Sequence, residues 1–88
     1  MKLKYSFKED DRRYSSFILT KKELALISEY FNDTFTPENT QFICMYDYNF
    51  MLLAVQVVGN KIYELQPEEA IKLFKNKIKE CEVPYAEN

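Results

Sequence analysis

The chain has 88 residues and is predicted to fold as a two-layer α+β domain, a five-stranded antiparallel sheet with two helices in the order ββαβββα. Three patterns in the sequence carry that expectation. Residues Lys2 to Lys8 alternate strictly between apolar or aromatic and polar side chains, the period of a strand with two unlike faces. Two helix starts are marked, Thr20 followed three positions later by Glu23, and Pro67 followed by Glu68 and Glu69. Between them runs the most apolar stretch, Phe42 to Val58, interrupted at Asp47, Tyr48 and Asn49, which reads as two strands and a tight loop.

Taken in order, Leu3, Tyr5 and Phe7 share one side of the first strand, and Lys2, Lys4, Ser6 and Lys8 the other. A charged turn centred on Asp10-Asp11 returns the chain through Arg13 to Leu19. That register puts Tyr14 and Ile18 with the apolar side, and Arg13, Ser15 and Phe17 with the lysines. Leu24, Ile27 and Phe31 recur at helical spacing and should face the core, with Leu26 and Tyr30 flanking them, until Asn32-Asp33 ends the helix. Thr36-Pro37-Glu38 predicts a short helical turn in the connection. Gly59-Asn60 marks the turn into a last strand from Lys61 to Leu65. In the second helix the acidic start and Lys75, Lys77 and Lys79 toward the end suit the helix dipole, and Ala70, Ile71, Phe74 and Ile78 form the buried stripe. Residues 1–81 are read as a single domain and 82–88, which contain Pro84 and no periodicity, as a flexible C-terminal tail.

Composition narrows the chemistry. There is no histidine, which removes the commonest general base and metal ligand, and the formal charge of −2 gives no global attraction to polyanions. Glu9, Asp10 and Asp11 are consecutive, so their carboxylates diverge around a turn instead of converging on a cation. Cys44 and Cys81 form no C-x-x-C pair; Cys44 sits between Phe42 and Tyr46 in packing surroundings, and Cys81 lies between two glutamates that disfavour a thiolate. With a single glycine, no phosphate-cradling loop can be built. The expectation is a non-enzymatic protein with no cofactor and no metal. The N-terminus lacks a signal-type apolar run and Phe50–Val58 is too short to span a membrane, so a cytoplasmic protein without a membrane partner is expected.

What the chain has in abundance is contact surface: fourteen of its residues are Phe or Tyr. Pairing the last three strands through Tyr48-Asn49 and Gly59-Asn60 places Phe42, Cys44, Tyr46, Met51, Leu53, Val55, Val57 and Ile62 under the helices. The other side then receives Ile43, Met45, Phe50, Leu52, Tyr63 and Leu65, more apolar than a solvated face should be. Two helices cover about one face of such a sheet. Hence the leading reading is a small module that binds a larger protein, as inhibitors and immunity-type regulators do, or a second copy of itself. Its contact residues would be Met45, Tyr48, Phe50, Leu52, Tyr63 and Leu65. The alternative reading is a single-stranded nucleic-acid binder whose Lys2, Lys4, Lys8 and Arg13 neutralise phosphates around Phe17.

Overall fold

The computed structural model describes residues 1–75 and 78. In chain order it contains β1 (Lys2–Glu9), β2 (Arg12–Ile18), α1 (Lys21–Phe31), β3 (Gln41–Asp47), β4 (Leu52–Val58), β5 (Ile62–Leu65) and α2 (Pro67–Phe74). The five strands form one antiparallel sheet in the order β1-β2-β3-β4-β5, so each strand pairs with its neighbour in the chain. This is the ββαβββα arrangement the sequence predicts.

The local signals act as their chemistry requires. Asp10 takes φ 56° at the first turn, a left-handed conformation that Asp tolerates, and Glu9 pairs with Arg12 across it. At the start of α1 the Thr20 hydroxyl accepts from the Glu23 N–H at 3.2 Å and the Glu23 carboxylate accepts from the Thr20 N–H at 2.8 Å, a complete capping box. Asn32 ends the helix at φ 54° and donates its N–H back to the Glu29 carbonyl. Pro67 opens α2, whose Ala70 and Phe74 are buried, as is Ile78 beyond it, while Ile71 is only half-buried. Residues 37–39 form a turn tied by the Thr36 hydroxyl donating to the Asn39 side chain, not the helical turn expected there. Lys77, Lys79, Cys81 and the expected tail at 82–88 lie outside the described residues.

Both helices pack on the same side of the sheet. Phe74 of α2 meets Phe42 of β3 edge-on, with ring centroids 5.0 Å apart, and Phe31 at the end of α1 meets Tyr63 of β5 at 4.8 Å. Phe42, Cys44, Val55 and Val57 are fully buried between them, with Phe17, Leu65, Ile27 and Phe35 completing the core. Gly59 belongs to the same packing, because a Cβ there would come within 3.2 Å of the Phe35 ring.

Three features of strand pairing correct the expected faces. In β1 the register shifts between Leu3 and Tyr5, so Leu3 pairs with Phe17 and turns to the helices while Tyr5 and Phe7 turn away. In β4 a second irregularity sets Tyr46 opposite Leu52 and leaves Leu53 as the extra residue. Leu52 therefore packs on the core, and Met51 and Leu53, expected to be buried, are 64% and 39% exposed. The last hairpin pairs Val58 with Ile62 across a three-residue turn, one residue off the expected register. A slip of one reverses every side chain. So Tyr63 and Leu65 join the core side, Leu65 almost completely buried, and Ile62 points out at 63% exposed.

Candidate functional site

Residues directly opposite each other on antiparallel strands point to the same side, so the pairings define the sheet's outer face row by row. One row runs Phe7, Tyr14, Met45 and Ala54 from β1 to β4. The next runs Tyr5, Ser16, Ile43, Gln56 and Glu64 across all five strands. A third holds Lys2, Ile18, Val58 and Ile62. Phe7 and Ile18 are each about half exposed, and among the described residues no helix or loop crosses this face.

The face has relief. On the β1–β2 side Tyr5, Phe7 and Tyr14 form a ridge, with the Phe7 and Tyr14 rings nearly parallel and their centroids 4.9 Å apart. Beside it a depression of about 350 Å³ crosses the face, lined by Phe7, Tyr14, Ile43, Met45, Ala54, Gln56 and Glu64. Arg12 reaches along the face to place its guanidinium 3.7 Å from the Met45 sulfur, so its cationic end caps an apolar strip.

Of the six contact residues expected from sequence, Met45 alone lies on this face. Leu52, Tyr63 and Leu65 are on the core side, for the register reasons above. Tyr48 is 72% exposed in the loop between β3 and β4. Phe50 sits in that loop at φ 62° beneath the Arg13 guanidinium, which lies 5.1 Å from its ring centroid. The loop is held by Asp47, whose carboxylate accepts the N–H groups of Asn49 and Met51. The residues missed as members of the open face are Tyr5, Phe7, Tyr14, Ile18 and Ile62. Alternation in the sequence groups the first four, but it does not say which side the helices take.

The basic constellation is not brought together. Phe17 is buried in the core, Lys8 and Arg13 pair with each other on the helix-bearing side, and Lys2 lies on the outer side. Nor is a metal site assembled, since among the described residues no three Asp, Glu or Cys side chains converge. Cys44 is fully buried between the sheet and the helices.

Three polar groups away from this face are shifted by their partners. Burial alone would raise the Glu23 pKa, but its bonds to the Met1 ammonium, 2.8 Å away, and to Thr20 outweigh that and hold it below 4.5. Tyr63 donates its hydroxyl to the Asp33 carboxylate, which lowers Asp33 below 3.8 and pushes Tyr63 up to about 12. That bond ties the segment after α1 to β5, where Phe31 and Phe35 enclose the Tyr63 ring. It latches that segment onto the core.

No protein-family model, curated protein or solved structure matches this chain. Among the described residues no helix is long and apolar enough to cross a membrane.

Proposed function

We propose that this chain is a binding protein without catalytic activity of its own, which docks through the outer face of its sheet onto an apolar surface of another polypeptide. The observation that carries the reading is the ridge of Tyr5, Phe7 and Tyr14 continuing into Ile18, Ile43, Met45 and Ile62 on the side opposite both helices. Exposed aromatic and aliphatic groups gathered on one face carry a solubility cost in a domain whose net stability is about 4 to 13 kcal/mol. A partner that covers them removes that cost. Tyr, Phe and Met are also the side chains enriched where proteins meet, because they offer broad area with few rotamers to freeze. Modules of this kind act by occupying a surface another protein needs, the manner of an inhibitor or an immunity-type regulator.

The test is substitution on the face with a parallel check of folding. Phe7→Glu and Ile62→Glu should each abolish association with the partner while leaving the thermal melt within about 0.5 kcal/mol of wild type, the usual range for surface changes. Cooperative unfolding in both variants would show these side chains to be core and end the reading. Association should also persist as salt is raised, because apolar docking releases no counterions, whereas binding to a polyanion weakens steeply.

A further inference from the structure

Independently of the outer-face reading, we propose that the fork where β2 and β3 part binds a small carboxylic acid, one acid group on a short apolar body. The two strands stay paired up to Phe17 and Phe42; beyond that pair one chain turns into α1 and the other arrives from the connection that follows it. A pocket of about 160 Å³ opens between them. Its apolar walls are Phe17, Leu19 and Leu24, all buried, together with Pro37. The connection that supplies Pro37 is itself tied down, because the Phe35 N–H donates to the Ser28 hydroxyl at 3.2 Å and the Thr36 hydroxyl donates to the Asn39 side chain at 2.8 Å. The pocket is therefore preformed, and a ligand entering it has little to order.

Polar groups reach these walls from three strands. Ser16 of β2 lines the pocket and is 2% exposed. The Thr40 hydroxyl, just before β3, is buried and has no hydrogen-bond partner among the described residues. A buried hydroxyl without a partner is costly, so a ligand atom that bonds to it gains what the fold leaves unmade. Gln41 adds an amide from the first position of β3. Lys4 completes the set, at the β1 bulge that leaves it without a cross-strand partner. It is the one charged residue among the described residues of the lining.

Charge and size together fix the class of ligand. A single ammonium with two hydroxyls and an amide suits one carboxylate, whose two oxygens accept charge-assisted hydrogen bonds. A cation would meet Lys4 with no acid to offset it. A phosphate dianion would press its second charge against Leu24 and Pro37, an apolar wall that cannot solvate it. As for size, an apolar cavity of about 150 Å³ holds benzene, so the body of the acid is limited to one ring or a short branched chain. A ligand of about nine non-hydrogen atoms should bind with a dissociation constant about millimolar.

The test is an NMR titration of the isotope-labelled full chain with sodium benzoate at neutral pH and fixed ionic strength. Benzamide, which has the same shape without the charge, and inorganic phosphate are the comparison probes. Benzoate should shift the amides of Ser16, Phe17, Leu19, Thr40 and Gln41 saturably, benzamide should bind at least about fivefold more weakly, and phosphate should not saturate there. Lys4→Gln should weaken benzoate by a similar factor and leave benzamide unchanged, which a merely structural role for Lys4 would not do. Thr40→Val, which keeps the shape and removes the hydroxyl, should weaken benzoate about threefold or more. Melting curves establish that both variants are folded, and the three probes on wild type decide the matter if either is not. No saturation up to about 20 mM benzoate overturns the proposal and leaves a pocket for water only. Equal affinity for benzoate and benzamide, saturable phosphate shifts at the same amides, benzoate shifts confined to residues outside the pocket, or unchanged benzoate binding in either folded variant overturns it too.

Discussion

The two sides of this sheet are built by alternate residues of the same strands, yet they obey different rules. On the helix side Phe42, Cys44, Val55 and Val57 have no exposure, and small changes of shape are felt there. On the outer side Phe7, Ile18 and Ile62 are half exposed or more, though no less apolar. Apolar character therefore does not identify the core of this protein. What separates the sides is which of them the connections carry α1 and α2 across, and the difference shows that this fold has more apolar sheet than two helices can shelter.

The largest effect that would break this contrast is at Phe42. Phe42→Ala should cost about 3 to 5 kcal/mol through the cavity it leaves against Phe74, a large part of the total, whereas Phe7→Ala on the outer side should cost less than about 1 kcal/mol. Urea unfolding midpoints for the two compare the faces directly, and equal losses would erase the distinction. Next in size is the capping box. Thr20→Ala should cost about 1 kcal/mol. Because the folded pKa of Glu23 is depressed, its contribution is fully present above 4.5 and is lost as pH falls through the lowered folded value. Melts taken down that range should lose stability in wild type and flatten in Glu23→Gln.

Gly59→Ala tests the helix side at its margin. The added methyl would press on the Phe35 ring at 3.2 to 3.3 Å and should cost about 1 kcal/mol, read by thermal denaturation, unless that ring can move by a few tenths of an ångström. Phe50→Asn is expected to be the smallest change. Relief of a left-handed Phe is offset by loss of the Arg13 contact, each worth about 1 kcal/mol, so the midpoint should barely move. The Tyr63 latch offers a spectroscopic check. The tyrosinate absorbance that develops near pH 12 should be smaller by one group in Tyr63→Phe. Its raised folded pKa means that the contribution of the bond is complete below 10.0 and disappears as pH rises toward 12.

Legibility followed the range of the interaction. The Thr20 cap, the Asn32 stop, Pro67 and the Asp10-Asp11 turn were readable because each is satisfied within four or five residues of itself. The division of the first hairpin into two faces was readable from Tyr5 onward, while the shift between Leu3 and Tyr5 put Leu3 and Lys2 on the sides opposite to those expected. The assignment of the faces was not readable, for Phe17 among the lysines is core and Tyr5, Phe7 and Tyr14 on the apolar side are open. A hint was present in Ser6, Ser15 and Phe17, an uncharged stretch within the side grouped with the lysines, which a helix-covered surface can take in. Of the site, Met45 was readable from alternation in β3, while Leu52, Tyr63 and Leu65 were misplaced by a bulge and by one residue of turn length.

By itself, then, the sequence determined the elements, their order and the start of each helix, since hydrophobic period, caps and turn residues act between near neighbours in the chain. The tertiary structure alone decided which face the helices cover, where β1 and β4 slip, and how the ridge at Tyr14 comes to stand beside the depression that Ala54 helps to line. The physical reason is that a strand's pattern repeats every two residues, so both faces satisfy it equally well until packing against distant Phe35, Phe74 and Ile27 makes one of them the interior.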